Sequence, residues 1–109
     1  SEKMKTKYYS INGEIKKSNE ALISVNDYGL NRGYGIFETI RLKDNKIIQI
    51  NDHIDRLFRG LSTIKIDFSV INRINLINDV KKIAKINNIT DGLIKIIITI
   101  VNLIFFQTL

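Results

Sequence analysis

The only histidine of the chain, His53, stands three residues before Arg56 in the stretch INDHIDRLFRGL. On a helix, residues at that spacing are neighbours on one face. An arginine in a first turn sits at the wrong end for the helix dipole. Its place is explained if it answers a negative charge, and a guanidinium suits a phosphate. The alternative is a solvated His–Arg pair. Gly60, on the same face, would leave room beside the arginine. A third candidate is Glu38, in GIFETIRL. As a strand, this stretch puts Ile36, Glu38, Ile40 and Leu42 on one face and Phe37, Thr39 and Arg41 on the other. A carboxylate among aliphatic side chains is costly unless it is paired or borders a cavity. The alternative is a glutamate at the strand's edge, reaching solvent or a nearby arginine. Phe37 shares its face with Arg41, so that side is not plain solvent either.

These residues need elements to position them. Lys7 to Ile15 reads as a hairpin turned at Asn12-Gly13, the strongest two-residue turn signal. Ser18 to Glu20 is a polar connection, and Ala21 to Val25 is a strand or a buried extended segment. Asn26 to Gly35 holds Gly29, Gly33 and Gly35 and has no clean period. It is either a loop that needs glycine or a loop whose backbone approaches a ligand closely. Ile36 to Leu42 is a strand, Lys43 to Lys46 a turn and Ile47 to Ile50 the return strand. Asn51 or Asp52 then caps a helix, whose buried stripe is Ile54, Leu57, Phe58, Leu61 and Ile64. Asp67 or Ser69 caps a second helix running to about Ile86. Ile74, Ile77, Val80 or Lys81, and Ala84 are its stripe, and Asn87-Asn88 ends it. Asp91-Gly92 is a turn. Leu93 to Val101 is almost continuously β-branched, as a central strand buried on both faces would be. Asn102 to Leu109 has neither a period nor a cap. The pattern predicts an α+β domain: a small antiparallel-rich sheet with two helices packed on one side.

Composition removes several classes of function. A length of 109 residues is one domain. The chain has no cysteine, which excludes disulfides, thiolate catalysis and Cys-based zinc sites and fits a reducing cytoplasm. With one histidine a metal site would depend on carboxylates, which do not cluster. SEKMKTKYYS lacks the apolar core of a signal peptide. The apolar run Leu93 to Phe106 contains Lys95, Thr99 and Asn102 and falls short of the roughly 20 residues of a spanning helix. No membrane contact is expected. The net charge is +6, but the lysines are spread along the chain without forming a patch, so nucleic-acid binding is not expected.

The ordered motifs resemble the N-terminal domain of the class IV, fold-type IV pyridoxal-phosphate enzymes. These are the branched-chain and D-amino-acid aminotransferases and the aminodeoxychorismate lyases. The matching text is the Asn-Gly hairpin, D-x-G at Asp27 to Gly29, G-x-G-I-F-E-T-I-R at Gly33 to Arg41, H-I-D-R-L at His53 to Leu57, and L-I-K-I-I-I-T at Leu93 to Thr99. The match covers about residues 7–99. The resemblance implies a D-amino-acid aminotransferase-like N-terminal domain that uses pyridoxal 5'-phosphate, with Arg56 contacting the cofactor phosphate. It implies Phe37 in the substrate pocket, Arg41 as a further candidate there, and Glu38 and His53 as supporting groups at the pocket edge. No catalytic proton transfer is assigned to any residue, and no metal is implied. Partners would be an amino acid or keto acid substrate and a second copy in a dimer.

Two departures stand out. The family usually has G-D-G where this chain has Gly33-Tyr34-Gly35, and T-R-G where this chain has Thr99-Ile100-Val101. On this reading residues 1–109 are a single small domain with an atypical apolar tail at 100–109. The larger C-terminal domain, which in the family supplies the Schiff-base lysine, is then absent, and the fragment alone is inactive. The other reading is a non-enzymatic, self-associating module, with the tail covering an exposed apolar face or pairing with another copy.

Overall fold

A computed structural model of the chain describes residues 7–22, 35–63, 71–99 and 102–108. Strands β1 (Tyr8–Ile11) and β2 (Glu14–Lys17) form the first hairpin. Asn12 (φ 53°) and Gly13 (φ 88°) make its turn, with the positive φ at both central residues that the right-handed twist of a hairpin favours. Strands β3 (Ile36–Lys43) and β4 (Lys46–Ile47) repeat the device with Asp44 (φ 51°) and Asn45 (φ 66°). Helices α1 (Ile50–Thr63) and α2 (Arg73–Ile86) follow, then β5 (Gly92–Ile98) and β6 (Leu103–Thr108). The six strands lie in the order β2-β1-β6-β5-β3-β4, each pair antiparallel.

Both helices cover one face of this sheet. Ile40 of β3, Ile94, Ile96 and Ile98 of β5 and Phe105 of β6 pack against Ile54, Leu57 and Leu61 of α1 and Leu76, Val80 and Ile83 of α2. The expected fold class is therefore observed. The other sheet face stays partly open, so Leu93, Lys95 and Ile97 of β5 are only half-buried. That corrects the expectation of a strand buried on both faces. The β-branched run does supply the centre of the sheet, but strand β5 ends at Ile98, short of the expected Val101.

The largest correction concerns the apolar tail. Leu103–Thr108 is a central strand, inserted between β1 and β5. Thr99 and Asn102 close the connection into it: the Thr99 N–H donates to the Asn102 carbonyl at 2.8 Å, and the Asn102 N–H donates to Thr99 Oγ1 at 3.0 Å. Asn12 then clasps β6. Its N–H donates to the Leu103 carbonyl, and its Oδ1 accepts the Leu103 N–H at 2.8 Å. A tail held by ladders on both sides is not available to pair with another copy.

Smaller expectations also shift. The return strand stops at Ile47 because Gln49 (φ 53°) turns the chain, and α1 begins at Ile50. Asn51 and Asp52 therefore lie inside the helix instead of capping it. The cap of α2 is Asn72, whose Oδ1 accepts the Asn75 N–H at 2.8 Å. Its buried stripe is Leu76, Val80, Ile83 and Ala84, with Ile74 exposed. Of the expected stripe, Val80 and Ala84 are therefore buried and Ile77 is half-buried; Lys81, the alternative to Val80, is exposed, since burying an unpaired ammonium is costly. Ala21 and Leu22 form no strand. The expectations for residues 23–34, Ile64, Asp67 and Ser69 lie outside the described residues.

The side chain of Asn87, just past α2, ties the edge hairpin to the helix layer. Its Oδ1 accepts the N–H groups of Lys7 and Tyr8 at 3.0 and 2.9 Å. Its Nδ2 donates to the carbonyls of Tyr8 and Ile83.

Phe105 is 0% exposed and Ile74 is 71% exposed. In urea unfolding, Phe105→Ala is expected to cost about 3–5 kcal/mol, and Ile74→Ala no more than about 0.5 kcal/mol. A cost below about 1 kcal/mol for Phe105→Ala would return residues 102–108 to the status of a tail.

Candidate functional site

Strand alternation places Glu38 on the helix-covered face of β3, between Ile36 and Ile40. Helix α1 crosses above it, and the first two turns of that helix present His53 and Arg56 at adjacent positions. His53 Nδ1 lies 2.6 Å from Glu38 Oε1. Arg56 donates from Nη2 to Oε1 at 3.0 Å and from Nε to both carboxylate oxygens at 3.3 Å. The side chains of Glu38 and His53 are 11% and 14% exposed, that of Arg56 55%. The cluster thus has a buried carboxylate and a guanidinium with one side in solvent.

The electrostatics follow from this geometry. Burial alone would raise the Glu38 pKa. The hydrogen bonds from Arg56 and then His53, with the charges of both, outweigh that and leave it below its ordinary 4.5. Hydrogen bonding to Glu38, and then its charge, raises the pKa of Arg56 in turn. An ionised carboxylate only accepts hydrogen bonds, so the short contact assigns the proton to His53 Nδ1. Arg56 Nη2 also lies 3.2 Å from that nitrogen. With a proton on each side, this second contact is proximity and not a hydrogen bond. Arg56 Nη1 makes no hydrogen bond among the described residues.

The structure therefore brings Glu38, His53 and Arg56 together, and it answers one question left open by the sequence. The negative charge that Arg56 meets inside the chain is Glu38. It also corrects the role of Gly60. A Cβ there would come within 3.0–3.2 Å of the Ile36 side chain. The missing side chain lets α1 settle onto β3 and makes no room for Arg56. Gly35 has a similar reason, since a Cβ there would stand 3.0 Å from the Ile98 carbonyl oxygen. The rest of the glycine-rich stretch, 26–34, lies outside the described residues.

Phe37 and Arg41 are exposed on the opposite, open face of β3. Lys95 joins them there, with Nζ 5.5 Å from the centre of the Phe37 ring, a cation–π distance. The sequence reading passed over Lys95. Its signal was the alternation of LIKIII, which puts the lysine opposite Thr39, on the Phe37 side. The ion pair between Arg73 and Asp55, joining the two helices, was also missed. Among the described residues no group of three potential metal ligands occurs, and no helix is long and apolar enough to cross a membrane.

Comparison with known proteins gives one consistent answer. The family described as amino-transferase class IV matches residues 35–105. A D-alanine aminotransferase of Staphylococcus haemolyticus is 39% identical over 82 residues, which are 75% of this chain and 29% of that protein. An aminodeoxychorismate lyase of Bacillus subtilis is 33% identical over 82 residues, 75% of this chain and 28% of that protein. The chain spans less than a third of the length of these curated relatives. Among solved structures, the branched-chain amino acid aminotransferase of Escherichia coli superimposes with a TM-score of 0.87 at 20% identity, over 95% of this chain and 40% of that one. The branched-chain aminotransferase of the thermophilic archaeon Thermoproteus uzoniensis, with norvaline, gives 0.83 at 21% identity, over 94% and 40%. At these identities the two structures speak to fold alone.

Glu38 has a depressed pKa in the fold, so its ionised form contributes stability above the ordinary 4.5. That contribution disappears as pH falls through the lower, folded value. Glu38→Gln is accordingly expected to lower stability by about 1–2 kcal/mol at neutral pH. The gap to the wild type should close in acid. Urea unfolding of both proteins across this range checks it, and a gap that stays constant with pH would show that Glu38 is not ion-paired.

Proposed function

Because the chain belongs to the class IV aminotransferase family, matching its N-terminal domain, we propose that Arg56 is a ligand for the phosphate of pyridoxal 5'-phosphate. The observation that carries this is the asymmetry of its guanidinium. Glu38 holds Nε and Nη2, while Nη1 is without a hydrogen bond among the described residues, on a side chain 55% exposed. A guanidinium fixed along one edge and open at another offers a phosphate a preset direction. His53 shares the Glu38 charge by donating to the same oxygen. This leaves more of the arginine's charge for an incoming anion. Glu38 and His53 are then positioning residues, without a proton-transfer role.

When bound, pyridoxal phosphate supplies an electron sink for bond breaking at a substrate α-carbon. Phe37, near the start of β3 and next to Glu38 in the chain, is the proposed contact for an amino acid or keto acid substrate. Arg41 is a more distant candidate, about 13 Å further along the same face. The parent activity is transamination of a branched-chain or D-amino acid, or the aminodeoxychorismate lyase reaction. Both chemistries require a lysine to hold the cofactor and move a proton. No lysine of these 109 residues occupies a position matching that role, so the 109 residues by themselves are proposed to be inactive. A cysteine-free composition supports a cytoplasmic setting.

Self-association is a second reading, and the open sheet face favours it. Phe37 is exposed there, and Leu93, Ile97 and Phe106 are half-buried. The sheet edges do not invite pairing. β4 has only two residues, and β2 carries Lys16 and Lys17. A dimer would therefore form through the face.

Two measurements test these readings. Pyridoxal phosphate is titrated into the chain and into Arg56→Ala, with absorbance read before and after borohydride. Arg56→Ala is expected to weaken phosphate-dependent binding about tenfold, with reduction giving only scattered lysine adducts. Equal binding by both proteins removes Arg56 from the site, and turnover or a single specific reduced lysine overturns the proposed inactivity. Light scattering is expected to show a dimer; a monomer at every concentration ends the second reading.

A further inference from the structure

The helix layer does not close over the far end of β3. There the β3–β4 hairpin, the start of α1 and the second half of α2 border an open groove of about 780 Å³. Leu42, Ile47 and Ile50 form one apolar wall, and Ile77, Ala84 and Ile89 form the other. Lys46 rises from the hairpin, and Lys81 and Lys85 from α2. Asn45 and Asn51 complete the lining, and no carboxylate lines the groove among the described residues. Neither Arg56 nor Glu38 borders it.

The charges here are arranged unlike those at Glu38. Lys81 and Lys85 are four residues apart on one helix face, an arrangement that is unfavourable for like charges. Lys46 lines the same groove from a different element. None of the three has an ion pair among the described residues. The dipole at the end of α2 accommodates Lys85, but it has no bearing on a lysine in the hairpin. An anion in the groove would be attracted by all three.

The groove is also held in shape. The Asn45 N–H donates to the Thr90 carbonyl at 3.0 Å, and the Asp44 N–H to Asp91 Oδ1 at 3.2 Å. These bonds fix the hairpin tip to the segment leading into β5. Arg73 Nη1 donates to Asn51 Oδ1 at 3.1 Å, and Arg73 also pairs with Asp55. These contacts tie the helices together beside the groove. A groove whose shape is already set costs less to occupy than one that must form, and its volume lies within the roughly 300–1,000 Å³ of small-molecule sites. The two-residue β4 is too short an edge to recruit a peptide by strand addition.

We propose that this groove binds a small amphiphilic anion: a carboxylate on an unbranched alkyl chain, the chain along the apolar walls and the carboxylate among Lys46, Lys81 and Lys85. Octanoate is the probe and 1-octanol its neutral counterpart. Amide resonances of the 109-residue chain report the site and the affinity. Octanoate is expected to shift Ile50, Ile77 and Ile89 saturably and to bind more tightly than 1-octanol. The double variant Lys81→Glu/Lys85→Glu is expected to weaken octanoate about tenfold and leave 1-octanol unchanged. Both lysines are exposed, so the fold is expected to survive. Lys46→Glu, on the hairpin, provides an independent check. No saturable shift, equal affinity for the two probes, or indifference to charge reversal overturns the proposal. Loss of octanoate binding in Arg56→Ala, or binding of an acidic amphipathic peptide in place of octanoate, assigns the anion elsewhere or to a polypeptide and overturns it too.

Discussion

A carboxylate on the core side of a sheet constrains everything built over it. Glu38 cannot be left unpaired between Ile36 and Ile40 without a penalty of several kcal/mol. The element crossing β3 must bring positive charge to that point. Helix α1 does so only in the register that sets His53 and Arg56 above the strand. The same register turns Ile54, Leu57 and Leu61 inward and lays Gly60 against Ile36. A rotation of one residue would move the arginine away and lift the apolar stripe off the sheet together. Polar pairing and apolar packing therefore select the same placement. That agreement marks a sequence that specifies one structure.

Where local chemistry was sufficient, the sequence was readable. Asn12-Gly13 announced its turn because few residues tolerate positive φ. The alternation from Ile36 to Leu42 announced both faces of β3, and the apolar spacing of α1 named its buried residues. The sequence also singled out the three members of the ion cluster and set His53 beside Arg56, but it did not show that Glu38 meets that pair. His53 and Arg56 lie on one element and Glu38 on another, and no local rule pairs residues across elements. The strand at Leu103–Thr108 was unreadable for a related reason. It follows another apolar run without a glycine or proline between them, and its order comes from hydrogen bonds to β1 and β5. The α2 stripe was legible only in part: Val80 and Ala84 are buried and Ile77 is half-buried, but Ile74 is exposed, and Leu76 and Ile83 were not named.

The two faces of β3 give its neighbouring residues separate environments. On the covered face, Glu38, His53 and Arg56 share charge in a partly dry setting, where each hydrogen bond counts more. On the open face, Phe37 and Arg41 are exposed and Lys95 is half-buried; there charges are more screened and aromatic contacts are modest. Phe37 and Glu38 are adjacent in the chain, so a bound molecule at the start of the strand could meet both environments at once.

Charge compensation separates the cationic regions further. Arg56 is held by Glu38, and Arg73 by Asp55. A paired arginine gives up part of its attraction for an outside anion, and in return its donors are directed before any ligand arrives. Freezing a long, flexible side chain is one of the main costs of binding, and here the fold has already met it. The lysines beside Leu42 and Ala84 are in the opposite condition: without an ion pair among the described residues, mutually repelling and attached to flexible stems. Attraction there is stronger at long range but undirected, and screening by salt reduces it more. The net charge of +6 is thus a poor guide to where anions bind, because the cations differ in how far the fold has already neutralised and oriented them.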